Sequence, residues 1–218
     1  MNNDEAIEFT NNIFDLIKKA RTISHLEIIP DKLEIPGKNR MNIDLYPKIE
    51  FAISPDEIRK LMDDKILDND HKFVPEITSK LADPLTKLLY AIAWKNGDLK
   101  KLKHIIKGIV DSEDKNSEQD DALVFYQFGK YLTKVSGEPI IDQHVIRAFA
   151  IYKSTDFEEI ETLRQMKTLN KTHKLIIKQY KDWLISKELT EDLRIVKDYT
   201  YHIDKLLFAT GKAIKLSG

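Results

Sequence analysis

From Pro84 to Lys215 apolar side chains recur at helical spacing, and the interruptions are short: Gly97, residues 112–118, Gly137-Glu138-Pro139 and a polar stretch near Asn170. Apolar residues three and four apart build one face of a helix, so a run of such segments joined by short links predicts a helical body. The helices expected on this basis span 84–95, 98–110, 120–134, 143–152, 157–166, 171–187 and 191–215. Trp94, Phe125, Phe128, Phe149, Trp183 and Phe208 stand where the core of such a body would place large rings.

The first quarter of the chain is patterned differently. Residues 4–21 predict one amphipathic helix, with Ile7, Ile13, Phe14 and Ile17 close to a 3.6-residue period. Between 22 and 53 come Pro30, Pro36, Gly37 and Pro47, interleaved with the β-prone pieces 25–29 and 49–53, which predict loops with a small hairpin. Helix resumes at Ser54-Pro55-Asp56-Glu57, where Ser can cap, Pro suits the first turn and Glu57 completes a capping box. The expected organisation is therefore a mainly α protein: an N-terminal helix with an irregular or β-containing region over 1–75, then a helical domain over 76–218. Any β structure is expected before Ser54.

Composition removes several classes of chemistry. Without a cysteine there is no thiolate nucleophile, zinc-thiolate site or cysteine-ligated cluster, which fits a reducing compartment and makes the cytoplasm the expected location. The six histidines are scattered without metal-ligand spacing, and no phosphate-binding glycine loop or Gly-x-Ser-x-Gly elbow is present, so neither metal nor cofactor is expected. No apolar run reaches the roughly 18 residues of a membrane span, and the acidic start lacks the features of a signal peptide, so no membrane association is expected. Charge nearly cancels, to a net of -1, but its distribution is uneven. Arg164 to Lys181 holds six cations and no acid, whereas Asp111 to Asp121 holds six acids against Lys115. On a helix Lys174, Lys178 and Lys181 share one face, which suits them to a phosphate backbone or, equally, to ordinary solvated surface.

One segment carries chemistry. Residues 123–149, LVFYQFGKYLTKVSGEPIIDQHVIRAF, run from an aromatic-rich helix through a Gly/Pro turn and two isoleucines to Asp142, which opens a new helix bearing His144, Val145 and Arg147. This pattern resembles the core of the helix-hairpin-helix DNA glycosylase superfamily, with weaker likenesses at 88–95 and 202–212, over residues 76–216 in all. The resemblance implies DNA as partner, a glycosylase-like helical fold and Asp142 as the essential carboxylate. It also implies extrusion of the target base into a pocket, for which Trp94, Tyr126, Tyr131, His144 and Trp183 are the candidate walls, with Lys174, Lys178 and Lys181 gripping phosphates. A fixed carboxylate near the anomeric carbon would stabilise the positive charge that builds on the sugar as the N-glycosidic bond breaks. The family's phosphate-binding hairpin should precede residue 123. Here residues 112–121 contain no glycine and are strongly acidic, and no lysine matches the family's Schiff-base nucleophile. The expectation is thus a monofunctional base-excision enzyme that uses water. The competing expectations are a non-catalytic helical protein that binds DNA or a partner, either one also conceivable within a phage-defence or restriction system, and Asp142 as a plain helix cap.

Overall fold

The computed structural model describes residues 1–114, 117 and 119–216, which are mainly helical, with no strand among them. They form two compact units. One joins the two ends of the chain, Met1–Lys48 with Ser136–Gly218, and the other is Ile49–Val135. The expected division at 75/76 therefore falls within the second unit. The reason lies in helix α1 (Asn3–Lys19), whose apolar stripe packs on the C-terminal helices rather than on its sequence neighbours.

Helix α1 is opened by a capping box in which the Asn2 side chain accepts from the Glu5 amide and the Glu5 carboxylate accepts from the Asn2 amide. It buries Ala6, Thr10, Ile13, Phe14 and Ile17. The β-prone piece 25–29 is helical instead, in α2 (Ile23–Glu27) and α3 (Ile29–Lys32). Thr22 caps α2 by accepting from the His25 amide, and Pro30 sits in the first turn of α3, where its missing N–H costs nothing. Propensity for strand is overridden because a strand needs a ladder partner, and none is present among the described residues.

In the second unit, residues 49–53 also lack a ladder, and the Ile53 amide donates to the Leu132 carbonyl at 3.0 Å. The Ser54 capping box forms as expected and opens α4 (Pro55–Asp63). The one antiparallel bridge among the described residues lies after Ser54, between Leu67 and Phe73, and not before it as expected. Its turn is closed by Asp68, whose Oδ1 accepts from the Asp70 and Lys72 amides. Next come α5 (Ile77–Lys80), α6 (Pro84–Lys95), α7 (Leu99–Val110) and α8 (Leu123–Leu132). Helices α7 and α8 cross at backbone contact through two glycines. A Cβ on Gly108 would lie 2.0 Å from the Tyr126 carbonyl oxygen, and one on Gly129 would lie 2.0 Å from that of Ile105. Trp94, expected in the core, is 66% exposed on α6.

The remaining helices complete the first unit: α9 (Gln143–Lys153), α10 (Phe157–Gln165), α11 (Lys174–Leu184), α12 (Glu191–Arg194) and α13 (Tyr199–Ala213). The single helix expected over 191–215 is broken before Tyr199, where Asp198 takes a left-handed conformation at φ 61°. Phe14 of α1 stacks on Tyr152 with ring centroids 3.9 Å apart and meets the edge of Trp183 at 5.1 Å, while Phe149 meets Tyr180 at 5.1 Å. This aromatic cluster ties α1, α9 and α11 into one core. A third glycine sets α13 against α9, since a Cβ on Gly211 would lie 1.9 Å from the His144 carbonyl oxygen.

Gly129→Ala and Gly211→Ala must each force two helix backbones apart, so each should lower stability by about 3 kcal/mol, the upper end for overpacking. Gly37, which has open space around its Cβ position, is the control, and Gly37→Ala should be close to neutral. Urea unfolding followed by circular dichroism measures all three. Near-neutral Gly129→Ala or Gly211→Ala variants would contradict the close crossings.

Candidate active site

The turn that precedes Asp142 is pinned at three points. Gly137 has φ 86°, a conformation that favours glycine, and a Cβ there would come within 2.7 Å of the Ile185 side chain. Glu138 pairs with Lys181 at 2.8 Å, both side chains being mostly buried. The Ile140 amide donates to Asp204 Oδ2 at 2.7 Å. These contacts anchor the turn to α11 and α13 before α9 begins.

Asp142 opens α9 with extended backbone and a half-buried side chain. Its Oδ1 accepts from two of the orphan amides of the first turn, those of His144 at 2.7 Å and Val145 at 2.8 Å. Among the described residues no donor is bonded to Oδ2. The carboxylate is thus held by one oxygen, and the other is uncommitted.

Behind it lies a buried polar network. Arg147, fully buried, donates from Nε to the Leu163 carbonyl at 3.1 Å, from Nη1 to the Gly211 carbonyl at 2.9 Å and from Nη2 to the Met166 carbonyl. Its Nη1 also lies 2.7 Å from His144 Nδ1. A guanidinium only donates, so Nδ1 is the acceptor and His144 carries its proton on Nε2. Burial lowers the His144 pKa below the ordinary imidazole value, with Asp142 opposing and Arg147 adding to the shift, which agrees with a neutral ring. Burial also pulls the Arg147 pKa down to about 10, against the opposing effect of Asp142. Arg147 remains a cation at neutral pH. The His144 ring meets Phe208 edge-on at 5.1 Å.

Asp204 is the functional-type residue that pattern reading passes over. It is 2% exposed, and besides the Ile140 amide it accepts from the Tyr180 hydroxyl at 2.6 Å. Burial raises its pKa well above the usual carboxylate value, and nearby Asp142 adds to this, while the two hydrogen bonds oppose it. Tyr180 is likewise raised well above the phenolic value, first by burial and then by Asp204. A signal exists in the sequence: Asp204 shares a helical face with Thr200, Leu207 and Gly211, all buried, so it occupies core register.

The other expected site residues are distributed as follows. Trp183 is 3% exposed, its surroundings being Phe14, Phe149 and Tyr180, and its Nε1 donates to Glu188 at 3.3 Å. It is a core side chain. Tyr126 and Tyr131 are buried in the second unit, which also carries the exposed Trp94. The Tyr126 hydroxyl donates to Asp111 at 2.9 Å, and the Tyr131 ring carries the Lys134 ammonium 3.9 Å from its centroid. Of the lysine face, Lys174 begins α11, Lys178 pairs with Asp182 at 2.7 Å, and Lys181 is held by Glu138. Arg164, counted with the basic run, is 2% exposed and donates to the Ile214 and Met1 carbonyls and to Asn3. In the position of the expected phosphate hairpin, residues 111–113 form a 3-10 turn, while Lys115, Asn116 and Glu118 lie outside the described residues. Among the described residues no group of three His, Asp or Glu side chains is placed to hold a metal ion, and no helix is long and apolar enough to cross a membrane.

No family model, curated protein or solved structure matches this chain.

The buried Asp204 has a signed consequence for stability. Its unfolded carboxyl ionises near 3.9, whereas the folded one keeps its proton to higher pH. Over that window the folded state binds more protons, so this group's contribution to stability falls as pH rises. Asp204→Asn preserves the shape and removes the titration. The variant should therefore gain on wild type by up to about 1.4 kcal/mol per pH unit from pH 4 upward, until the folded group ionises. Parallel stability profiles of the two proteins between pH 4 and 7 would contradict the buried, protonated carboxyl.

Proposed function

We propose that the chain is a DNA glycosylase-like hydrolase that cleaves the N-glycosidic bond of a damaged or modified base, with Asp142 as the catalytic carboxylate and water as nucleophile. The observation that carries this reading is the one-sided use of Asp142. Capping occupies Oδ1, the turn before it is pinned at three points, and Oδ2 meets no donor among the described residues. A carboxylate held in this way can meet the charge developing on a sugar, or orient a water, without first reorganising. Neutral His144, fixed through Nδ1 by Arg147, presents an Nε2–H donor two residues further along the same helix start. These features support the reading beside the sequence resemblance of residues 123–149 to the helix-hairpin-helix glycosylases.

A second reading, a non-catalytic DNA- or partner-binding protein, is favoured by the glycine-free, acidic sequence 112–121 that stands where the family's phosphate-binding hairpin is expected. Lys178 and Lys181 each already have a carboxylate partner, and that weakens the grip expected on phosphate.

Asp142→Asn keeps the capping oxygen and removes the charge, so excision should fall by about 100-fold or more while folding is unchanged. The assay offers duplexes with deaminated, alkylated, oxidised or phage-type modified bases and scores abasic sites after alkali. Release by wild type that survives Asp142→Asn would assign catalysis to another residue, and DNA binding by wild type without release from any substrate would favour the second reading. For the basic face, Lys174→Gln with Lys178→Gln should reduce the salt dependence of DNA binding by about 0.9 in log–log slope for each phosphate no longer neutralised. An unchanged slope would mark these lysines as ordinary surface.

A further inference from the structure

Positive charge in the second unit gathers on α7. From Pro84 to Val110 the sequence holds six lysines and one acid, Asp98, and α7 itself, LKKLKHIIKGIV, holds four lysines and no acid. Asp98 is taken up by Lys101 at 2.5 Å. The buried residues of the helix are Ile106, Gly108 and Ile109, which face α8 through the close approach of Gly108. At about 100° per residue, Lys100, Lys103 and Lys107 fall within about 60° of one another on the opposite side, with His104 beside them. Burial lowers the His104 pKa, Asp121 opposes the shift, and Lys103 and Lys107 add to it, which places both ammonium groups on the His104 side of the helix. Among the described residues none of the three lysines has an ion-pair or hydrogen-bond partner. Asp70, whose charge interacts with Lys103 through space, is paired with Lys72 at 3.0 Å.

Resting on the proposed reading of the chain as an enzyme of DNA, we infer that the row Lys100, Lys103 and Lys107 docks the phosphate backbone of a DNA duplex. Charge complementarity selects this face over the lysines of α11. There Lys178 is held by Asp182 at 2.7 Å and Lys181 by Glu138 at 2.8 Å, so a phosphate must displace a carboxylate, whereas on α7 the three ammonium groups are uncommitted. The spacing also fits. At 1.5 Å of rise per residue the row is about 10 Å long, and one strand of a duplex presents a phosphate about every 3.4 Å of axis, so three flexible lysines can reach three phosphates. The apolar residues Leu102, Ile105, Ile106 and Ile109 occupy the other side of α7, so the row presents nothing apolar for a bilayer to take up. Fixed cations on a rigid helix match a regular polyanion, and each contact is driven by the release of condensed counterions.

The test is the affinity of the full-length chain for an unmodified duplex, followed by fluorescence anisotropy as salt is raised from about 50 to about 200 mM. Lys100→Gln with Lys103→Gln and Lys107→Gln should flatten the slope of log K against log salt by about 2.7, since each phosphate contact contributes about 0.9. The matching triple Lys→Arg variant keeps the charges and should keep the slope. Both should retain the wild-type circular dichroism spectrum, because the row lies away from the buried face. Base release from modified duplexes, scored in parallel, separates the surface from the chemistry. A flattened slope in the Gln variant supports the row even when wild type releases no base, a result that would remove the enzyme reading alone. A wild type that releases a base, beside a Gln variant with the wild-type slope, would overturn the row and leave the enzyme standing. An Arg variant as weak as the Gln variant, a wild type that binds no duplex, or binding found only on phosphatidylserine vesicles would each overturn the inference.

Discussion

The buried guanidinium of Arg147 organises the start of α9 in the first unit. Arg147 projects from α9 into a site that holds no acidic partner at bonding distance among the described residues, and it spends its donors on carbonyls at the ends of α10 and α13, together with His144. Helix C-termini leave carbonyls without intrahelical partners, and the partial negative charge there suits a guanidinium. Arg164 repeats the device one helix away, where it gathers the Ile214 carbonyl with Met1 and Asn3. Two buried arginines therefore knit the N-terminus, α10 and the end of α13 together in a region where apolar packing alone would leave polar backbone stranded.

The start of α9 inherits its rigidity from this arrangement. Gly211 lets α13 approach the His144 carbonyl at backbone contact, Arg147 reaches the Gly211 carbonyl from the same side, and Asp204, two turns earlier on α13, holds the Ile140 amide. Asp142 lies between these points. Its position is set by packing on both sides, so the uncommitted Oδ2 has a defined direction. Helix α13 also places a second carboxyl, that of Asp204, near the first, where burial raises its pKa well above the usual carboxylate value.

Local signals in the sequence are legible where the physics is local. The caps at Ser54 and Asp142 follow from side-chain and amide chemistry within three residues, and both form. Strand propensity at 25–29 and 49–53 misleads, because a strand is stabilised by a ladder partner whose existence the segment itself does not report. The discontinuous first unit is invisible for a related reason: Phe14 finds Tyr152 and Trp183 across a long loop of sequence, and helical periodicity does not say which stripe packs on which. Periodicity likewise does not tell that the apolar stripe of α6 stays outside, or that Arg164 turns inward while its lysine neighbours turn outward. Asp204 escapes notice because a charged residue in core register is conspicuous only against its apolar neighbours one turn away, not within its own segment.

Arg147 is the residue on which the first unit most directly depends, and Arg147→Met tests that dependence. Methionine fills similar volume without donors, so the carbonyls of Met166 and Gly211 would lose the guanidinium donor, each at a cost of about 1–3 kcal/mol, while that of Leu163 would keep the Met166 amide. Against this stands the relief of no longer burying a charge, which in some proteins makes such a replacement stabilising. Equilibrium urea unfolding of the full chain decides between the two. A guanidinium that organises the unit predicts a loss of about 3 kcal/mol or more on substitution, with weakened amide protection at His144 and Val145. Stability equal to or above that of wild type, with protection at the start of α9 intact, would contradict that role.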